Sequence, residues 1–157
     1  MREFRFFIRC VPPKTTQQSN ARIMKRKDGS QFVGKMKDSK GEKVKQSLLS
    51  LFKPHRPETP LQGPIQFLVV YTYPWRTSEP KKNRVNGYRL HDKRPDYDNM
   101  LKIPQDALST LNFWNDDSVI SDGRLIKAWG DEPGIGVYII ELGDTLPLEL
   151  YFFDDLK

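Results

Sequence analysis

The 157-residue sequence has one cysteine, two histidines and no long apolar run, and each scarcity excludes something. A lone Cys10 cannot form an intramolecular disulfide, so no stapled, secreted fold is expected. It reads instead as a small buried residue near the end of an N-terminal strand. His55 and His91 lie far apart in sequence, which disfavours a zinc site. The longest apolar stretch, Phe67 to Tyr73, is far too short to cross a bilayer. Arg5 and Arg9 interrupt Phe4, Phe6, Phe7 and Ile8, so the first residues do not form the apolar segment of a signal peptide. No glycine-rich loop stands between a strand and a helix, and Gly130-Asp131-Glu132-Pro133-Gly134 reads as a turn. A soluble, cytoplasmic protein with no membrane association and no nucleotide cofactor is the expectation.

What is present is charge, unevenly placed. Net charge is +6. Residues 1–94 carry 22 Lys and Arg against 7 Asp and Glu, whereas residues 95–157 carry 4 against 13. A basic first part suggests a polyanionic partner, and a basic surface with no ligand is the plain alternative.

The length fits a single domain, 1–157, with a genuine core. Residues 3–10 alternate as a half-buried strand, ended by Pro12-Pro13. Residues 20–35 predict a basic hairpin turning at Asp28-Gly29. Val44, Leu48, Leu51 and Phe52 predict a helix over 39–52. Residues 65–73 predict a strand buried on both faces, since Leu68 and Val70 back the Ile65, Phe67, Val69, Tyr71, Tyr73 row. Residues 76–94 predict a long basic loop. Residues 119–129 and 135–140 predict a hairpin across the 130–134 turn, and 144–157 a C-terminal extension.

Between these lies an acidic segment, residues 94–117. If Asp96-Tyr97-Asp98 is extended, both aspartates face one side. Two close carboxylates resist joint ionisation unless a cation intervenes. Oxygen-only ligands suit Mg²⁺, Mn²⁺ or Ca²⁺, since zinc and copper prefer histidine or cysteine. Asp98 or Asn99 could cap a helix reaching Leu111, with Met100, Ile103, Ala107 and Leu111 buried. Lys102 then sits one turn above Asp98, and Asp106 could pair with it. Pro104 either kinks that helix or begins it. Of Asp116 and Asp117, one can reach a metal and the other caps a turn. Phe113 and Trp114 read as core.

The ordered set Asp96-x-Asp98-Asn99-x-x-Lys102-x-x-x-Asp106-Ala107-Leu108, then Phe113-Trp114-x-Asp116-Asp117 before an apolar strand, resembles the RusA family of Holliday junction resolvases. Glu132-Pro133-Gly134 and the Pro12-Pro13-Lys14 that follows the first strand are also RusA-like. The resemblance implies an α+β fold, a small mixed β-sheet with two main helices. It implies a homodimeric, Mg²⁺-dependent endodeoxyribonuclease that cuts four-way DNA junctions in a bacterial or phage-infected cell. By motif position Asp96, Asp98 and Asp117 are the metal-binding catalytic carboxylates and Lys102 the catalytic lysine. Asn99, Asp106 and Asp116 are support. The backbone of branched DNA would meet Lys14, Arg22, Lys25, Arg26, Lys27, Lys81, Lys82, Arg84, Arg89, Lys93 and Arg94. A broader flap or fork nuclease and a non-catalytic DNA-binding protein are the alternatives.

Overall fold

The computed structural model describes residues 2–14, 21–35 and 39–143. The predicted extension, 144–157, lies outside them, as does the side chain of Arg22. Among the described residues seven strands and two α-helices follow in order: β1 (Glu3–Arg9), β2 (Ala21–Lys25), β3 (Gln31–Lys35), α1 (Ser39–Phe52), β4 (Ile65–Pro74), β5 (Tyr88–Leu90), α2 (Tyr97–Thr110), β6 (Ile120–Gly130) and β7 (Gly134–Glu141).

Five strands form one mixed sheet in the order β1-β7-β4-β6-β5. β4 is central. It pairs with β6 in parallel and with β7 antiparallel. The parallel pair needs a crossover, and the chain from β4 to β6 makes it through α2. The sequence expectation of a β6–β7 hairpin is therefore wrong, because β4 lies between them. A short connection does not by itself distinguish the two arrangements. Crossing two strand spacings takes about 9.6 Å. The four steps from Gly130 to Gly134 can span about 14 Å. The glycines permit the close approach of neighbours. A Cβ on Gly134 would strike the Phe7 ring and stand 2.6 Å from the Ile8 carbonyl oxygen.

One sheet face carries the core. Phe6, Ile65, Phe67, Val69, Tyr71, Ile135, Val137 and Ile139 are buried with Leu48 and Phe52 of α1 and Met100, Ile103, Ala107 and Leu108 of α2. The opposite face is only partly covered. Leu68 and Val70 are intermediate in exposure, so β4 is not buried on both sides as its apolar run suggested. Phe7 and Ile126 on that face are exposed. No helix among the described residues is long and apolar enough to cross a membrane.

The β2–β3 hairpin forms as expected, with Gly29 at φ 84° in its turn. Asp28 Oδ1 accepts from the Ser30 N–H at 2.9 Å. The hairpin stands as a separate two-stranded sheet. Its Ile23 and Val33 are a cross-strand pair, 70% and 69% exposed.

Candidate active site

Helix α2 carries most of the predicted site. It begins at Tyr97 with Asp96 as its N-cap residue, and it passes through Pro104 without ending. This resolves the two readings of Pro104: the helix does not begin there, and Lys102 lies within it. Pro104 is buried with Met100, Ile103, Ala107 and Leu108. The helix ends in a Schellman motif. Asn112 adopts φ 56°. The Phe113 N–H donates to the Leu108 carbonyl at 3.1 Å and the Asn112 N–H to the Ser109 carbonyl at 3.0 Å. That turn drives Phe113 and Trp114 into the core, both fully buried, and the Trp114 indole N–H donates to Ser109 Oγ at 2.7 Å. The core reading of these aromatics holds.

The extended Asp-x-Asp geometry does not. Asp96 has extended dihedrals, but Asp98 is already in the first helical turn. Helical rotation of about 100° per residue separates their side chains, so strand alternation does not bring them together. What they share is the helix N-terminus, whose partial positive charge favours carboxylates. Both side chains are exposed. Asp96 makes no side-chain capping bond.

Asp98, Lys102 and Gln105 succeed one another at i, i+4 and i+7 and so share one stripe of α2. The Gln105 amide donates to Asp117 Oδ2 at 3.0 Å, which lays Asp117 on that stripe. Asp117 begins a 3₁₀ turn, Asp117–Val119, and Asp116 is its N-cap residue. Asp116 accepts from the Ser118 N–H at 2.8 Å. Hydrogen bonding from Ser118 holds its carboxyl below the usual carboxylate range. Asp116 therefore serves the turn while Asp117 faces the helix. The expected pairing of Asp106 with Lys102 does not form: Lys102 is exposed and without an ion pair among the described residues. Asn99 is half-buried.

Side chains that sequence reasoning passed over hold this segment in place. The Tyr97 hydroxyl accepts from the Leu125 N–H at 3.2 Å, tying the first turn of α2 to β6. Lys127 Nζ donates to the carbonyls of Lys93 and Pro95, both at 2.8 Å, and fixes the chain just before Asp96. The Arg94–Pro95 peptide is cis. Gln105, Tyr97 and Lys127 are ordinary surface residue types, so nothing in the sequence marks them.

The 76–94 segment is more ordered than the expected loop. It contains a 3₁₀ turn, Lys81–Arg84, and strand β5 on the edge of β6. Its organiser is Glu79, 4% exposed. Asn83 donates to Glu79 Oε1 at 2.7 Å, Arg76 to Oε2 at 2.6 Å and Arg89 to Oε1 at 2.7 Å. Asn83 first, then Arg76, push the Glu79 carboxyl down to about 2, against an opposing effect of burial. Arg89 is thus engaged within the loop, and so is Arg84, whose guanidinium donates to the carbonyls of Arg76 and Glu79. Lys81, Lys82, Lys93 and Arg94 are exposed, as are Lys14, Lys25, Arg26 and Lys27.

The donor chemistry around α2 suits a hard divalent cation, since every candidate ligand is a carboxylate. Among the described residues no ion pair within 4.0 Å involves Asp96, Asp98 or Asp117. Their positions do not yet close around an ion. Among the described residues no three His, Cys, Asp or Glu side chains form a group that could hold one. Asp98 and Gln105 are about 10 Å apart along the helix axis.

The chain is similar over 109 residues to the "Uncharacterized protein YqaN" of Bacillus subtilis (strain 168), at 34% identity, spanning 66% of this chain and 76% of that protein. The family model described as "Endodeoxyribonuclease RusA" matches residues 6–140, from β1 through β7 and including every element of the α2 site. With the two-helix mixed-sheet architecture, this match establishes that the chain belongs to the RusA family of endodeoxyribonucleases, hydrolases that cut DNA phosphodiester bonds.

Proposed function

We propose that this endonuclease resolves four-way DNA junctions by paired, symmetric nicks, with Mg²⁺ as its working ion and Mn²⁺ as a substitute. The family's action on Holliday junctions supports branched DNA as the substrate. The observation that carries the site assignment is the α2 stripe: Asp98 and Lys102 one turn apart, with Asp117 held to the same stripe by Gln105.

Asp96, Asp98 and Asp117 are the residues that would hold the cation, which when bound neutralises phosphodiester charge and lowers the pKa of water. Hydrolysis forms a bond from water oxygen to phosphorus and breaks the bond to the 3′ oxygen, leaving a 5′-phosphate and a 3′-hydroxyl. The exposed Lys102 ammonium is placed to offset the charge that develops on the phosphate oxygens. Lys14, Lys25, Arg26, Lys27, Lys81, Lys82, Lys93 and Arg94 are exposed cations for backbone phosphates, which position DNA without reading its sequence. The dimer reading is supported by the partly uncovered apolar face of the sheet around Phe7, Leu68, Val70 and Tyr138, a surface that a second copy would cover.

The deciding experiment replaces Asp98 with Asn and measures both binding and cleavage of a four-way junction. Binding is expected to persist while Mg²⁺-dependent cleavage is lost. Calorimetric titration with Mn²⁺ should show the same variant weakened in metal binding. Cleavage equal to the parent's would remove Asp98 from the catalytic set. Comparing junction, fork, flap and plain duplex with the parent chain tests the substrate preference separately.

A further inference from the structure

A cavity of about 680 Å³ opens beside the cis Arg94–Pro95 peptide, and the catalytic assignment uses none of it. Tyr73-Pro74 and Trp129 place it at the carboxyl ends of the parallel strands β4 and β6, the end of such a pair where ligands characteristically bind. Its walls combine two kinds of group. Trp75, His91 and Trp129 are aromatic, and Lys14, Lys93 and Arg94 are exposed cations.

The aromatic part is built. His91 stacks on Trp129 with ring centroids 4.1 Å apart and planes at 25°. The Arg76 guanidinium lies over the Trp129 ring, 4.4 Å from its centroid, and Arg76 is itself fixed by buried Glu79. His91 Nδ1 accepts from the Lys93 N–H at 3.1 Å, and the His91 N–H donates to the Lys127 carbonyl at 2.8 Å, so the imidazole is held from ring and backbone. Trp75 is half-buried, its indole N–H donating to Asp131 Oδ1 at 2.7 Å. These contacts fix the orientation of the rings and leave Lys14 and Arg94 without a carboxylate partner among the described residues.

We propose that this cavity receives one unstacked nucleotide of the DNA strand, its base against His91 and Trp75 and its phosphate against Lys14, Lys93 and Arg94. The chemistry is that of single-strand recognition, in which aromatic faces take bases of any identity while cations follow the backbone. The volume lies in the range of small-ligand sites. The location ties the cavity to the α2 site. Arg94 on its rim is two residues from Asp96, at most about 7 Å of chain. Lys127 locks that span through the Lys93 and Pro95 carbonyls. A nucleotide held here would neighbour the phosphate presented to α2. A pocket for one displaced nucleotide would favour DNA whose strands separate over plain duplex, in which a paired base must first be unstacked.

The inference rests on DNA being the substrate, and its test does not need cleavage. The full chain is titrated with pentathymidylate, and tryptophan emission is followed. Saturable quenching is expected, with affinity about tenfold lower for Trp75→Ala. A pentameric abasic phosphodiester, with the same charges and no bases, should bind about tenfold more weakly than pentathymidylate. Equal binding of the two by the parent chain would overturn the proposal, because the cavity would then be a phosphate cradle only. Absence of quenching would overturn it too. Arg94→Ala has an exposed side chain and serves if Trp75→Ala does not fold; it should weaken both oligomers alike, and an unchanged affinity would remove the phosphate half of the proposal. A chain that binds pentathymidylate as described but leaves junctions uncut would contradict the resolvase reading and leave the cavity assignment standing.

Discussion

Replacing Pro104 with alanine should make the protein slightly more stable, contrary to what loss of a buried side chain suggests. Pro104 lies inside α2 and is buried there. It has no N–H to donate to the Met100 carbonyl. A proline in a helix interior costs about 3 kcal/mol relative to alanine. Against this, alanine removes two buried methylene groups, about 1.6 kcal/mol at about 0.8 each. It also frees the unfolded chain, a further loss of about 0.4–1 kcal/mol. The balance is a stabilisation of about 0.5–1 kcal/mol, or about 1–4 °C in melting temperature for a chain of this size. Urea unfolding followed by circular dichroism measures it. Hydrogen exchange reads the mechanism, because the new amide at 104 should be protected by the Met100 carbonyl. A destabilisation of about 2 kcal/mol or more would refute the reasoning, since it would mean that the proline ring fills a cavity worth more than the helical defect it causes. Junction cleavage on the same variant reports whether the spacing of Asp98 and Lys102 depends on this residue.

The acid limb of the stability curve should be shaped by Glu79 and Glu141. Hydrogen bonds from Asn83 and Arg76 push Glu79 down to about 2, and hydrogen bonds from Arg2 and the Gln62 N–H push Glu141 down to about 2. A depressed folded pKa contributes stability that is complete above the unfolded value near 4.5 and is lost as pH falls toward about 2. Glu79→Gln and Glu141→Gln should each flatten acid unfolding in that window, and an unchanged pH profile would contradict the assignment. Neutralising Lys81 and Lys82 together should reduce the slope of log binding constant against log salt by about 1.8; an unchanged slope takes both off the DNA footprint. If the proposed dimer forms through the partly covered sheet face, Val70→Lys should shift the chain toward monomer in light scattering at micromolar concentration, whereas an unaltered mass would remove that face from the dimer reading.

The local elements were legible because their signals are local. The alternation of residues 3–10, the helical spacing of Val44, Leu48, Leu51 and Phe52, and the Asp28-Gly29 turn each fall on the observed β1, α1 and β2–β3 turn. Two misreadings share a cause. The β6–β7 hairpin and the double burial of β4 were inferred from neighbours in sequence, but β4 inserts between β6 and β7, and among the described residues Leu68 and Val70 on its second face stay partly exposed. The extended Asp-x-Asp pair failed because helix α2 begins one residue after Asp96, which two-residue alternation does not anticipate.

By itself the sequence determined the chemistry on offer: carboxylates and one lysine in an ordered segment, a basic first part for a polyanion, and no cysteine or histidine set for zinc. Residue type decides ligand hardness and charge, so these follow without coordinates. Only the tertiary structure decided who meets whom. It laid Asp117 beside Gln105, tied Arg89 to buried Glu79 and gathered Trp75, His91 and Trp129 around one cavity. Those meetings depend on β4 taking the centre of the sheet and α2 crossing from β4 to β6. The cavity joins Trp75 and His91 to Trp129, far along the chain, and short-range patterning carries no record of that meeting.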